Sequence, residues 1–154
     1  MELKTKVNAE DGKLEVVITR EFELPVELLF RAHVEAGIIE QWMGTKVLKL
    51  EAQRHGSYQF ETTDHKGNKY PFSGVIHDFI PDKKIVRTFE METANTGVQL
   101  EFYEFEALTD DTSKLSMHVL YDSLEHRDQI LKMGMPMGIN MAHNRIQEVA
   151  GKLK

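Results

Sequence analysis

The sequence predicts an α+β fold: a curled antiparallel sheet of about seven strands, two helices near its start and one long helix at the C-terminus. Three observations carry this. Leu14, Val16 and Ile18 alternate with Glu15, Val17 and Thr19, and similar short runs recur between residues 46 and 121. Short polar or glycine-containing turns separate those runs, so successive strands pair as antiparallel hairpins. From Ile139 onward, Ile139, Ala142, Ile146, Val149 and Leu153 recur in steps of three and four, the spacing of one helix face. A sheet of that size twists and curls. Only the last helix is long enough to cover its apolar side.

Taken in order, the first strand runs from Leu14 to about Phe22. Pro25 suits the first turn of a helix, which extends through Leu28, Leu29, Ala32 and His33 to about Ala36, with Gly37 as its stop. Ile38, Ile39 and Trp42 mark a second short helix closing at Gly44. Strands follow at about 46–50, 58–62, 72–80, 85–91, 98–107 and 114–121. Asp64-His65-Lys66-Gly67-Asn68 is a polar hairpin loop, and Pro81-Asp82-Lys83 turns the next pair. In the last helix, from Ser123 to Lys154, Asp122 or Ser123 can cap the start, with Glu125 as a capping-box partner of Asp122. Pro136 lacks an N–H and clashes with the preceding turn, so Met133 to Gly138 should kink the helix or split it in two.

Length fits one domain over residues 1–154, with a core from about 14 to 153. The absence of cysteine excludes disulfides, thiolate metal sites and cysteine nucleophiles. A formal net charge of −6 without any basic block argues against nucleic acid as a partner, because phosphate binding rests on clustered Lys and Arg. No run approaches the roughly 18 apolar residues of a membrane span, and the N-terminus has no apolar signal core. A cytoplasmic location with no membrane insertion is expected.

The order β-α-α-β6-α, with Ile18-Thr19-Arg20 and Pro25 entering the first helix, resembles the START-like, or SRPBCC, helix-grip superfamily. Within it, Gln41-Trp42-Met43-Gly44, Gly56-x-Tyr58-x-Phe60, Phe72-Ser73-Gly74-x-Ile76, Pro81-x-Lys83-x-Ile85 and Thr88-Phe89 resemble the branch called activator of Hsp90 ATPase homolog 1-like. The likeness runs from about Leu14 to Leu153. It implies a hydrophobic cavity between sheet and long helix, but no single activity, since such folds serve lipid carriers, cyclases and chaperone partners. The chain departs from the family pattern at Met43 and Thr45 and in the stretch Met133-Gly134-Met135-Pro136-Met137-Gly138. These positions lie where the pocket would be, so no ligand is carried over from a relative.

Strand parity assigns Tyr58, Phe60, Phe72, Ile76, Phe89, Met91 and Met117 to the inner face, joined by Trp42 and Met43 from the second helix. Met133, Met137 and Met141 would face them as the adjustable lip of a pocket, methionine being unbranched and adaptable. On that reading Met137→Trp blocks ligand uptake. The same residues can also be plain core. Among polar groups, Arg87 shares parity with Ile85 and Phe89. It either points inward against Glu101 or a ligand acid, or reaches solvent through strand twist. Tyr103 and Tyr121 can donate hydrogen bonds into a pocket, and Arg20, Asn140 and His143 complete the polar candidates.

The seven histidines lack zincin spacing, there is no Gly-x-Ser-x-Gly elbow and no phosphate-binding glycine loop. No metal, cofactor or catalytic set is identified. Three readings follow. The first is binding of a small hydrophobic molecule. The second is a cyclase- or hydrolase-type enzyme using Arg87 with Glu101 or His143. The third is a chaperone partner of the Hsp90 type. A homodimer stays open.

Overall fold

In the computed structural model, which describes residues 4–154, eight strands and four helices are formed by the described residues. They are β1 (Lys6–Asn8), β2 (Glu15–Phe22), α1 (Val26–Val34), α2 (Ala36–Met43), β3 (Lys46–Leu50) and β4 (Ser57–Thr63). Then come β5 (Lys69–Ile80), β6 (Lys84–Met91), β7 (Val98–Ala107), β8 (Ser113–Leu120), α3 (Leu124–Lys132) and α4 (Met135–Gly151). The strands form one antiparallel sheet in the order β1-β2-β8-β7-β6-β5-β4-β3, and its two edges do not join. The fold is therefore α+β, with a curled open sheet around the C-terminal helix.

The sheet has one strand more than the alternation predicts. β1 holds only Lys6, Val7 and Asn8, too short to show a period, and exists through its pairing with Thr19, Ile18 and Val17. Alternation places Val16, Ile18, Arg20 and Phe22 of β2 inside, with Glu101, Tyr103 and Phe105 of β7 and Leu115, Met117 and Val119 of β8. His118 sits on the other face, bonded to Glu15 at 2.5 Å.

The first helix is shorter than expected. It ends at Val34, because Glu35 is extended and begins α2, which leaves Gly37 within the first turn of α2 instead of closing α1. Gly44 does close α2, in the left-handed conformation at φ +65°.

The last helix is split in two. Ser123 caps α3 by accepting from the His126 N–H at 3.0 Å. The break lies at Gly134, whose φ of +86° carries no steric penalty without a Cβ. Pro136 then falls in the first turn of α4, where its missing N–H costs nothing. The proline thus starts the second helix and the glycine ends the first. α4 packs through Ile146, Val149 and Ala150, whereas Leu153 lies beyond its end and is exposed. Ile146 is completely buried, so Ile146→Ala is expected to cost about 2–5 kcal/mol in chemical denaturation.

Candidate functional site

Between the inner face of the sheet and α4 lies a cavity of about 370 Å³. α1 and α2 contribute His33, Ile39, Trp42 and Met43; the sheet contributes Phe60, Arg87, Phe89, Glu101, Tyr103 and Met117. α4 closes it with Met135, Gly138, Ile139, Ala142 and His143. A second recess of about 340 Å³ continues toward α3, lined by Met91, Gln99, Tyr121, Ile130 and Met133 among others. Both are walled by Phe89, Glu101, Met117, Met135, Gly138 and Ile139. A larger groove of about 610 Å³ runs along β2 at the sheet edge, but Lys4, Lys6, Lys114, Glu21 and Glu23 make it a mixed-charge surface. The apolar cavity under α4 is the better-built site.

Its polar floor is one cluster. Arg87 and Glu101 are direct cross-strand partners on β6 and β7, and the Arg87 Nε donates to Glu101 Oε1 at 2.8 Å. Arg87 Nη2 donates to the Tyr103 hydroxyl at 2.8 Å, and that hydroxyl donates to Glu101 Oε1 at 3.1 Å. Gln99 holds the other carboxylate oxygen at 2.8 Å. The guanidinium lies 4.7 Å from the Tyr58 ring and 4.9 Å from the Tyr103 ring, so two aromatic faces also hold it. Arg87 therefore points inward, with Glu101 as its counter-anion. Burial pushes the Tyr103 and Tyr58 phenols well above their ordinary range, so both stay neutral.

Gly74 makes this arrangement possible. It pairs with Tyr58 across β4 and β5, and a methyl group there would run into the Thr88 carbonyl and the Tyr58 hydroxyl. With hydrogen in its place, the Tyr58 hydroxyl crosses β5 and donates to the Thr88 carbonyl at 2.6 Å.

Two imidazoles complete the wall. His33 Nδ1 lies 2.9 Å from the Leu29 carbonyl on its own helix, and its ring packs on Trp42, Tyr103 and Phe105. Burial, with the nearby Arg87 charge, lowers its pKa to about 4. His143 Nδ1 lies 2.9 Å from Thr5 Oγ1, and burial, with His33 and Arg20 nearby, lowers its pKa to about 3. Thr5 is tied in turn to Asn140 and Arg20.

Of the residues expected from parity, Trp42, Met43, Phe60, Arg87, Phe89, Glu101, Tyr103 and Met117 come together on the first cavity. Met91 lines only the second. Tyr58 lies beneath Arg87, and Phe72 packs between Phe60 and Phe89 behind the wall. The methionine lip is corrected. Met137 and Met141 are 55% and 60% exposed and line neither recess, while Met133, 63% exposed, reaches only the rim of the second. Met135 takes the inward place instead. Stepping back four residues from Ile139 lands on Met135, so the helical stripe already contained this signal. His33 carries no such signal, being in sequence one more residue of a helix run.

Among the described residues no group of three His, Asp or Glu is placed to hold a metal ion, and no helix is long and apolar enough to cross a membrane.

The fold recurs in solved structures. A protein from Arthrobacter aurescens superposes with a TM-score of 0.85 at 18% identity, covering 96% of this chain and 91% of its own. One from Mycobacterium smegmatis gives 0.80 at 22% identity, with coverage of 94% and 95%. An Hsp90 activator from Plasmodium falciparum gives 0.57 at 18% identity, with coverage of 70% and 73%. Likeness at these identities is a likeness of fold. No curated protein matches the chain in sequence. The sequence profile of the family described as Activator of Hsp90 ATPase homolog 1-like protein matches residues 23–151, the span from α1 to the end of α4. The chain belongs to the activator of Hsp90 ATPase homolog 1-like family.

Proposed function

We propose that this chain, acting as a single cytoplasmic domain, binds a small and largely apolar molecule between its sheet and α4. The observation that carries this reading is the cavity of about 370 Å³, within the roughly 300–1,000 Å³ usual for small-molecule sites. Its lining is mostly hydrocarbon, ring and thioether, with a few polar groups gathered at one place. Catalysis is the weaker reading, because Arg87, Glu101 and Tyr103 satisfy one another, and His33 and His143, with pKa values lowered to about 4 and about 3, are weak bases at neutral pH. A chaperone role has the family name behind it, and a direct Hsp90 ATPase assay separates it from small-molecule binding.

Gly138 provides the test. It lines both recesses and faces open space, and its helical backbone accepts a side chain without strain. Gly138→Phe is expected to keep the melting temperature within a few degrees while abolishing uptake. Native mass spectrometry of both proteins purified from cells reads this directly. Equal ligand occupancy in the two proteins, or none in the parent, counts against the cavity as the site.

A further inference from the structure

We propose that the cavity selects an uncharged ligand bearing one hydroxyl-like group, which donates to His33 Nε2 and accepts from His143 Nε2–H. This rests on the binding role proposed above and specifies the chemical class of the ligand.

The argument is one of tautomers. A carbonyl oxygen only accepts, so the contact between His33 Nδ1 and the Leu29 carbonyl puts the His33 proton on Nδ1. Its Nε2 is then a bare acceptor, with no partner among the described residues. At His143 the logic runs the other way. Arg20 Nη1 can only donate, and it donates to Thr5 Oγ1 at 3.2 Å. Among the described residues His143 Nδ1, 2.9 Å away, is the one acceptor within reach of the Thr5 hydroxyl, so that hydroxyl donates to it and the His143 proton sits on Nε2. That N–H has no partner among the described residues either. Both residues line the same cavity. One offers an acceptor and the other a donor, which is what a hydroxyl needs.

The charge balance sets the second half of the proposal. Arg87 is already matched by Glu101 at 2.8 Å and clasped between two tyrosine rings. A carboxylate ligand would bring a second anion beside Glu101, and Arg87 is the one Lys or Arg side chain that lines the cavity. An alcohol adds no charge. A buried donor–acceptor pair left without its complement also discriminates against ligands that can only accept.

Calorimetric titration at pH 7.5 with 1-decanol, decyl methyl ether and sodium decanoate tests this. The ether can accept from His143 but cannot donate to His33. Decanol is expected to bind about fivefold or more tightly than the ether, by the worth of one hydrogen bond, and decanoate weakest of the three. His33→Phe keeps the ring packed on Trp42 and Phe105 and removes the acceptor. It is expected to erase the difference between decanol and the ether. Equal binding of decanol and ether by the parent protein, or tightest binding by decanoate, overturns the inference while sparing the cavity as a binding site. Binding by none of the three overturns both.

Discussion

Lowering the pH from 7 to 4 is expected to withdraw on the order of 5 kcal/mol of stability through His33 and His143 alone, at about 1.4 kcal/mol per pKa unit. Both imidazoles are held neutral in the fold, with pKa values lowered from 6.5 to about 4 for His33 and about 3 for His143. The unfolded chain therefore binds protons that the native chain refuses. Their contribution is complete above the unfolded value of 6.5 and is lost as pH falls toward 4 and then 3. Charging His33 would place a cation beside Arg87, and charging His143 would place one beside His33 and Arg20. Urea titrations at half-unit intervals between pH 7.5 and 4.5 measure this. Stability should be level above pH 7 and fall steadily below 6, and His33→Phe should flatten part of the slope. A flat profile between pH 6.5 and 5 in the parent protein would show that the two rings are solvated.

Removing the carboxylate from the cavity floor should be comparably severe. Glu101→Leu leaves the Arg87 guanidinium on β6 without its counter-anion, and breaking a buried pair in this way costs about 3–5 kcal/mol. The side chains of Arg87 and Glu101 are only 16% and 6% exposed, so water can compensate little. The double variant Arg87→Met with Glu101→Leu should recover most of that loss, since the pair is then replaced by apolar groups of similar volume. Chemical denaturation of the two single and one double variants gives the coupling energy. A cost below about 1 kcal/mol for Glu101→Leu would mean that Arg87 finds water through the cavity mouth.

Much of the fold could be read from the residue order, because its elements are local and periodic. Tyr58 and Phe60, or Leu115, Met117 and Val119, must share a face of any strand that contains them. Asp64 and Asn68 mark a hairpin loop by chemistry that acts within five residues, and Asp64 indeed accepts from the Lys66 and Asn68 N–H groups at 2.9 Å. β1 was not readable in this way, since three residues carry no period and are held only by their partner strand. Helix phase was the harder matter at the site. Met133, Met137 and Met141 are as good a helical row as Met135, Ile139 and Ala142. Composition does not choose between them, and a break at Gly134 resets the phase of everything before it.

The sequence by itself therefore determined the α+β class, the hairpin succession, the parity of the sheet's inner face and the interruption of the last helix. Each of these depends on neighbours close along the chain. Tertiary structure alone decided that Arg87 turns inward onto Glu101 and Tyr103, that Met135 and not Met137 faces the cavity, and that His33 and His143 present opposite hydrogen-bonding atoms to it. Arg87 with Glu101 and Thr5 with His143 are contacts 14 and 138 positions apart, and the local bond from His33 to Leu29 acquires its meaning only once the sheet and α4 close around the ring. Burial and hydrogen-bond satisfaction choose among options that local propensity leaves equal.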